Sequence, residues 1–425
     1  MERKIEKFLK KWKDDIIRKP LILYGPKQIG KTFTVLNFGS KEYKNTVYFN
    51  TENNKDIIDI FTKEKSPEKI VLNLSLLSGE TILKEDTLII LDNVLNNDIV
   101  KGIKLFDNEK SKYHIIAITS RRDKLNEFKG EELQFKGMNE MDFEEYLWAH
   151  NEASLAELIR ESFTKHKICP FHKVALDLFQ EYLITGGLPE VVIASLEGKS
   201  LYEIDAIKQK IIDIYKKEIS LNKTLIDIPR GIEVINSAPL QLCKENKKFQ
   251  YGLMGTGKRA KEYDSAINYL VSNQLLYRSY KIKTVKSPLS SCRETDSFKL
   301  YFPDDGLLFT MLHLNAKQLL MDEKIKEVLY ENHIAKTLVE SGYALYYYQS
   351  EGKAEVNFVI QNRMGKIIPI EIATKSMSKA KSLSVFTKKF VVHQAYRITE
   401  NNFSTRKDVR YIPIYAAFCL NDNKI

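Results

Sequence analysis

LILYGPKQIGKTFTVLNF, residues 21–38, runs from four apolar residues through a loop with two glycines into a helical pattern. Gly25 to Thr32 match G-x-x-x-x-G-K-[ST], in the strand–loop–helix setting that this motif requires. Gly25 and Gly30 let the backbone curl, so that the N–H groups of the loop turn inward toward phosphate oxygens. The following helix adds the positive end of its dipole. Lys31 is then the cation for the β- and γ-phosphates, and the Thr32 hydroxyl is a ligand for Mg²⁺. The expected nucleotide set is Gly25, Pro26, Lys27, Gln28, Ile29, Gly30, Lys31, Thr32 and Phe33, with ATP and Mg²⁺ as cofactors.

Working outward, TLIILD (87–92) and HIIAIT (114–119) are near-continuous apolar runs, as suits strands of a parallel sheet buried on both faces. Leu21–Tyr24, Val47–Asn50 and Leu133–Lys136 complete five expected strands, with helical segments between them. That alternation is α/β with right-handed crossovers. Asp92 ends its strand, where a carboxylate would hold the Mg²⁺ water shell. The next residue is Asn93, and an amide can hydrogen-bond water but cannot take its proton. ATP binding should survive this choice while hydrolysis slows. Thr119 or Ser120, at the end of the next strand, would sense the γ-phosphate, and Arg121 faces either phosphate or solvent. The catalytic set is therefore Lys31, Asp92, Asn93 and Thr119, with Thr32 and Asp92 for the metal.

The chain has 425 residues, of which 43% are hydrophobic and 29% charged, so it can bury a core and is not a disordered chain. The net charge of +10 is compatible with a polyanion such as DNA. Cys169, Cys243, Cys292 and Cys419 stand far apart without a C-x-x-C pair, which argues against a disulfide scaffold or zinc module and fits the cytoplasm. No run approaches the roughly 18–20 apolar residues of a membrane span. Ile5, Phe8, Leu9 and Trp12 share one face of an N-terminal helix.

After Trp148 helical periodicity dominates. VKSPLSSCRETDS (285–297) reads as a polar loop, and KENKK (244–248) as a solvated one. The expected organisation is 1–150, a phosphate-loop ATPase domain; 151–284, a helical region resembling a winged helix; and 298–425, a mixed α/β domain. Gly252 to Arg259 (GLMGTGKR) satisfies G-x-x-x-x-G-K but puts Arg where the Mg²⁺ hydroxyl belongs, and no apolar strand leads in. It reads as a basic turn before a helix.

GPKQIGKT, TLIILDNV, HIIAITSR, NEMDFEEYLWAH and YLITGGLPEVV, taken in order, resemble the AAA-type P-loop ATP-binding proteins of bacteria and archaea that carry a C-terminal nuclease-like domain of unassigned function. The resemblance continues through KLYFPDDGLL, ENHIAKTLVESGYALYYYQS, AEVNFVI and IPIEIATK, and covers nearly the whole chain. It implies a sheet ordered 5-1-4-3-2 and a restriction-endonuclease-like fold near the C-terminus. It also implies a protein partner or homo-oligomer, because sites of this class often take an arginine from a neighbouring subunit. The family's usual Asp-Glu pair is Asp92-Asn93 here. Its nuclease motif maps to Glu331, Asn357, Glu371 and Ala373, so one acidic ligand and the catalytic lysine are replaced. Lys375 lies two residues beyond Ala373 on the same strand face and is the candidate stand-in. Three functions follow as expectations: a slow ATPase used as a nucleotide-state switch, an ATP-gated DNA-binding or nuclease factor, and a non-hydrolysing ATP sensor.

Overall fold

A computed structural model describes all residues except 108–111, 129, 222–227, 351–354, 375–380, 393, 407 and 421–425. The chain forms two compact units, 1–139 with 272–274, and 140–271 with 275–425. Among the described residues, no helix is long and apolar enough to cross a membrane.

The first unit is built on five parallel strands: β1 (Leu21–Tyr24), β2 (Asn45–Asn50), β3 (Thr87–Asp92), β4 (His114–Thr119) and β5 (Gln134–Gly137). Their order across the sheet is β2-β3-β4-β1-β5. β3 and β4 are buried along their whole length, which is why both read as unbroken apolar runs. The register sets Asn50 opposite Asp92 and Tyr24 opposite Thr119, so the strands end level at their C-terminal edge. Ligands of such sheets lie at that edge. On one face Ile22, Val47, Phe49, Ile89, Leu91, Ile115 and Ala117 pack against Ile57, Phe61, Ile70, Leu74, Ile99 and Ile103 from the crossover helices. Local chemistry fixes the helix ends: Ser66 accepts from the Lys69 N–H, Pro67 opens its helix, and Gly79 closes it at φ +74°.

The N-terminal helix, Lys4–Asp14, buries Ile5, Leu9 and Trp12. Trp12 lies edge-on to His114, as does Tyr43, whose hydroxyl is 2.6 Å from His114 Nδ1. Burial, and then the nearby Arg18 guanidinium, hold the His114 pKa down to about 3. A depressed pKa stabilises the fold above the unfolded value of about 6.5, and that contribution is lost as pH falls toward 3, at about 1.4 kcal/mol per pH unit. Urea midpoints should therefore fall between pH 7 and pH 5, with about 2 kcal/mol from this group. His114→Gln should flatten the profile, and a variant with the wild-type slope would rule His114 out as its source.

The second unit combines helices with an eight-stranded mixed sheet. The helices include His172–Thr185, Leu201–Leu221, Ile228–Leu242, Ala260–Ser272 and Glu323–Glu340. The strands are β6 (Tyr277–Ile282), β7 (Arg293–Tyr301), β8 (Leu345–Gln349), β9 (Glu355–Gln361), β10 (Ile367–Ala373), β11 (Ala395–Thr399), β12 (Ser404–Arg406) and β13 (Val409–Pro413), ordered β12-β13-β11-β10-β9-β8-β6-β7. β6 pairs antiparallel with β7 and parallel with β8. This sheet runs straight across the interval 284–298 that the sequence leaves as a boundary. Arg293–Ser297, read as loop, is the first half of β7. Arg293 to Asp296 are all polar and exposed or half-buried, and Ser297 is polar though buried, so the usual apolar signal of a strand is missing there. The hairpin that would be a free wing is continuous with the sheet.

Glu323–Glu340 is buried from Val328 to Leu338, and it packs against β6, β7, β8 and β10. It carries polar groups into the interior, and Glu331, Asn332, His333 and Lys336 find partners there. Asp305 Oδ1 accepts from Asn332 Nδ2 at 2.8 Å, and Asp305 Oδ2 meets His333 Nδ1 at 2.8 Å. Asp304 caps the helix Asp305–Met311 by accepting from the Leu307 N–H at 2.9 Å, and accepts from the Gly187 N–H at 2.6 Å. Gly186 has φ +83°, and a Cβ there would stand 2.3 Å from Asp304 Oδ1, so only glycine fits. Lys336 donates to the Tyr182 hydroxyl at 2.7 Å, which donates in turn to Met141 O at 2.8 Å.

Candidate functional site

The loop between β1 and the helix Lys31–Glu42 curls as its glycines predict. Gly25 has φ +155°, and a Cβ on it would lie 2.2 Å from Met138 O. Gly30 precedes the helix at φ +86°, and Gln28 also has positive φ. Ile29 is buried and anchors the loop from below, while its carbonyl accepts from Arg3 Nη1 at 2.9 Å. Arg3 reaches Asn139 O as well, at 2.7 Å, so the N-terminus braces the loop. Lys31 is buried, and its ammonium donates to Gly25 O at 2.9 Å and Pro26 O at 2.6 Å. It lies across the loop that would cradle phosphate. Phe33 is exposed on the first helical turn.

The Thr32 hydroxyl donates to Asp92 Oδ2 at 2.7 Å, which brings the two expected Mg²⁺ ligands together. Two further donors hold this carboxylate. The Tyr48 hydroxyl reaches Asp92 Oδ2 at 3.0 Å, and the Asn93 N–H reaches Asp92 Oδ1 at 2.8 Å. Burial first, then the Asp92 charge and hydrogen bond, push the Tyr48 pKa up to about 12, so Tyr48 remains a donor at neutral pH. Asn93 has φ +59°, a region that Asn tolerates better than most residues. Its side-chain amide donates to Asn50 Oδ1 at 3.2 Å, and its backbone carbonyl accepts from the Thr51 hydroxyl at 3.0 Å. The side chain is thus committed to the end of β2. Tyr48 and Asn50 have no place in the sequence-derived set. Their one signal is the alternation VYFN, in which Val47 and Phe49 enter the core while Tyr48 and Asn50 face outward.

Thr119 is buried, and its hydroxyl accepts from the Arg121 N–H at 3.2 Å, while its carbonyl accepts from the Gly25 N–H at 3.3 Å. The end of β4 is therefore joined to the start of the phosphate loop. Arg121 makes a two-pronged contact with Asp123 at 2.8 and 2.6 Å, and Arg122 lies over the Tyr24 ring. Gly252 to Arg259 begins inside a short 3₁₀ turn, Tyr251–Met254, with no strand leading in, and Lys258 pairs with Glu233.

Of the four nuclease-motif positions, two meet each other and a third is held elsewhere. Glu331 receives Asn357 Nδ2 at 3.1 Å, and Asn357 Oδ1 accepts from the Ile372 N–H at 2.9 Å. Glu371 is paired instead with Arg397, Oε2 to Nε 3.2 Å, and burial dominates its environment and raises its pKa. Ala373 is buried at the end of β10, and Lys375 lies outside the described residues. Glu331 also receives Lys247, Lys299 and Tyr301. Lys247 belongs to KENKK, which the sequence reads as a solvated loop, yet its side chain is only 9% exposed. Burial alone would raise the Glu331 carboxyl, but Lys247 and then Lys299 overcome it and hold the carboxyl well below the usual range. Among the described residues, no group of three or more His, Cys, Asp or Glu side chains is placed to hold a metal ion.

Comparison with known proteins agrees with this geometry at the first unit. Residues 17–147 match the family model described as AAA domain. With the sheet order and the loop, this makes the N-terminal part of the chain a P-loop ATPase-like domain of the AAA type. Residues 176–318 and 326–417 match two models described as domains of unknown function, DUF8612 and DUF4143. No curated protein matches. Among solved structures, two of Thermotoga maritima RuvB, one described as a Holliday junction branch migration motor, share 13% identity. They cover 67% of this chain and 89% and 90% of theirs, each at a TM-score of 0.26. Drosophila ORC bound to AT-rich DNA and Cdc6 shares 11% identity over 72% of this chain and 89% of that one, at a TM-score of 0.22. Scores so low carry no weight, and the assignment rests on the AAA match, the sheet and the loop.

Proposed function

We propose that the chain binds ATP with Mg²⁺ at the C-terminal edge of the five-stranded sheet, hydrolyses it slowly, and uses nucleotide state as a switch. The observation that carries this reading is the convergence of the Thr32 hydroxyl and the Asp92 carboxylate beside the curled loop. The donor set fits the ligand: hard oxygens for Mg²⁺, and an ammonium with a glycine-bent loop for phosphate. Bound Mg²⁺ would neutralise phosphate charge. The chain's own residues do the rest. Lys31 exchanges two carbonyls for phosphate oxygens, Thr32 and Asp92 orient oxygen ligands, and Thr119 relays the state of the loop to β4. Asn93, held by Asn50, offers water no base.

Lys31→Ala should weaken binding of a fluorescent ATP analogue by on the order of 10–100-fold, the loss of a charge-assisted contact of about 1.5–3 kcal/mol. Equal affinity in the two proteins would remove the site. The C-terminal part of the chain is read as a nuclease-like domain that does not cleave, serving as a scaffold or binding module. The net charge of +10 supports DNA as a second partner, and salt-dependent binding of a labelled duplex tests it.

A further inference from the structure

We propose that Lys247 and Lys299 are resident cations of the second unit, standing where the nuclease-like resemblance expects a divalent metal, and that Glu331 for this reason takes none. The inference rests on the nuclease-like reading of this unit and says why it is silent. Glu331 is 1% exposed and has its acceptor capacity filled. Oε1 receives Lys299 Nζ at 3.0 Å and the Tyr301 hydroxyl at 2.5 Å. Oε2 receives Lys247 Nζ at 2.7 Å and Asn357 Nδ2 at 3.1 Å. A carboxylate has about four lone-pair sites, and four donors occupy them here.

Each ammonium has a second acid. Lys299 reaches Glu355 Oε1 at 2.5 Å, and Lys247 reaches Glu327 Oε1 at 2.8 Å. The result is a chain of alternating charge, Glu327–Lys247–Glu331–Lys299–Glu355. The Lys299 and Lys247 side chains are 1% and 9% exposed, so solvent cations do not compete for the same oxygens at the surface. A metal ion would have to displace a buried ammonium and leave it unpaired, which is the costly step. Asn357 belongs to the same arrangement. Its amide both donates to Glu331 and accepts from the backbone of Ile372, whereas an aspartate would add a second acceptor beside a saturated one.

The test uses the full chain carrying Asp92→Asn, so that the phosphate-loop carboxylate does not contribute. Free Mn²⁺ is followed by electron paramagnetic resonance during titration. No Mn²⁺ should bind at Glu331 up to about 1 mM, the weak end of protein sites for hard cations. Binding that disappears in Glu331→Gln overturns the proposal. A second measurement does not depend on metal. Lys299→Met should lower the melting temperature by on the order of 5–10 °C, because it breaks a buried pair. Adding Glu331→Gln to that variant should recover more than half of the loss, or recover folded chain if the single variant fails to fold. A double variant no better than the single one overturns the proposal. Mn²⁺-dependent nicking of plasmid that disappears in Glu371→Ala would instead remove the non-cleaving reading itself, and the two failures are told apart by whether DNA is cut.

Discussion

Asp305→Ala should cost the second unit about 3–5 kcal/mol, the range found when one partner of a buried pair is removed. Asp305 is fully buried, and both of its oxygens are used, by Asn332 and by His333. Alanine would strand the His333 ring inside the protein, and it would leave Asn332 Nδ2 with only Phe302 O at 3.2 Å. The three segments that meet there are the helix start at Asp305, the end of β7 and the buried helix Glu323–Glu340. Asn332 Oδ1 also accepts from the Phe302 N–H at 2.7 Å, a tie that alanine at 305 leaves in place. Asp305→Asn keeps one acceptor oxygen for Asn332 and can donate its Nδ2 to an unprotonated His333 Nδ1, so it should cost clearly less. Urea unfolding followed by circular dichroism measures both. A loss below about 1 kcal/mol for alanine would mean that His333 and Asn332 find other partners.

Asn93→Glu should raise the rate of phosphate release under saturating ATP by about tenfold or more. A positioned base typically contributes 10²–10⁴-fold, and Asn93 supplies none. The structure adds two costs. Residue 93 has φ +59°, where a glutamate is strained by about 1 kcal/mol relative to its usual regions. The substitution also breaks the amide contact to Asn50. The gain should therefore come with a lower melting temperature, and ATP affinity should stay or weaken because the added carboxylate repels the γ-phosphate. If wild type already turns over at roughly 1–10 s⁻¹ and the variant is no faster, water is activated elsewhere. Glu52, two residues past the end of β2, becomes the next residue to replace.

The phosphate loop and its five-stranded sheet were legible because their signals are local. A motif of eight residues, two apolar strands ending in Asp92 and Thr119, and the spacing of helices between them carry most of the first unit. Tyr48 and Asn50 were not legible, because they meet Asp92 and Asn93 only through the neighbouring position of β2 and β3 in the sheet, which no short window reveals. The same holds more strongly for Glu331. Its partners Lys247 and Lys299 lie 84 and 32 residues away. In the sequence Lys247 is one of three lysines in five residues, a pattern that normally marks solvent. The first half of β7 escaped for the opposite reason: it is a strand, but its outward polar residues and the preceding Pro and Ser give it the composition of a loop.

The pairing of β6 with β8 has a consequence for the order in which the chain can fold. The first sheet is complete once β5 has formed, and its strands are joined by short crossovers, so it can close while the rest is still being synthesised. The second sheet cannot begin in the same way. β6 and β7 form a hairpin early, but β6 gains its other neighbour only after β8 emerges, more than sixty residues later, and β11 waits for β13 at Val409–Pro413. Loop closure must be paid before those contacts form, and parallel pairing over such separations is slow. In the interval the outer edge of β6 is unpaired, beside a hairpin that carries Tyr280, Phe298 and Leu300 on one of its sides. A nascent chain stalled near residue 340 should accordingly hold a finished first sheet and an open β-edge, the kind of surface that chaperones engage.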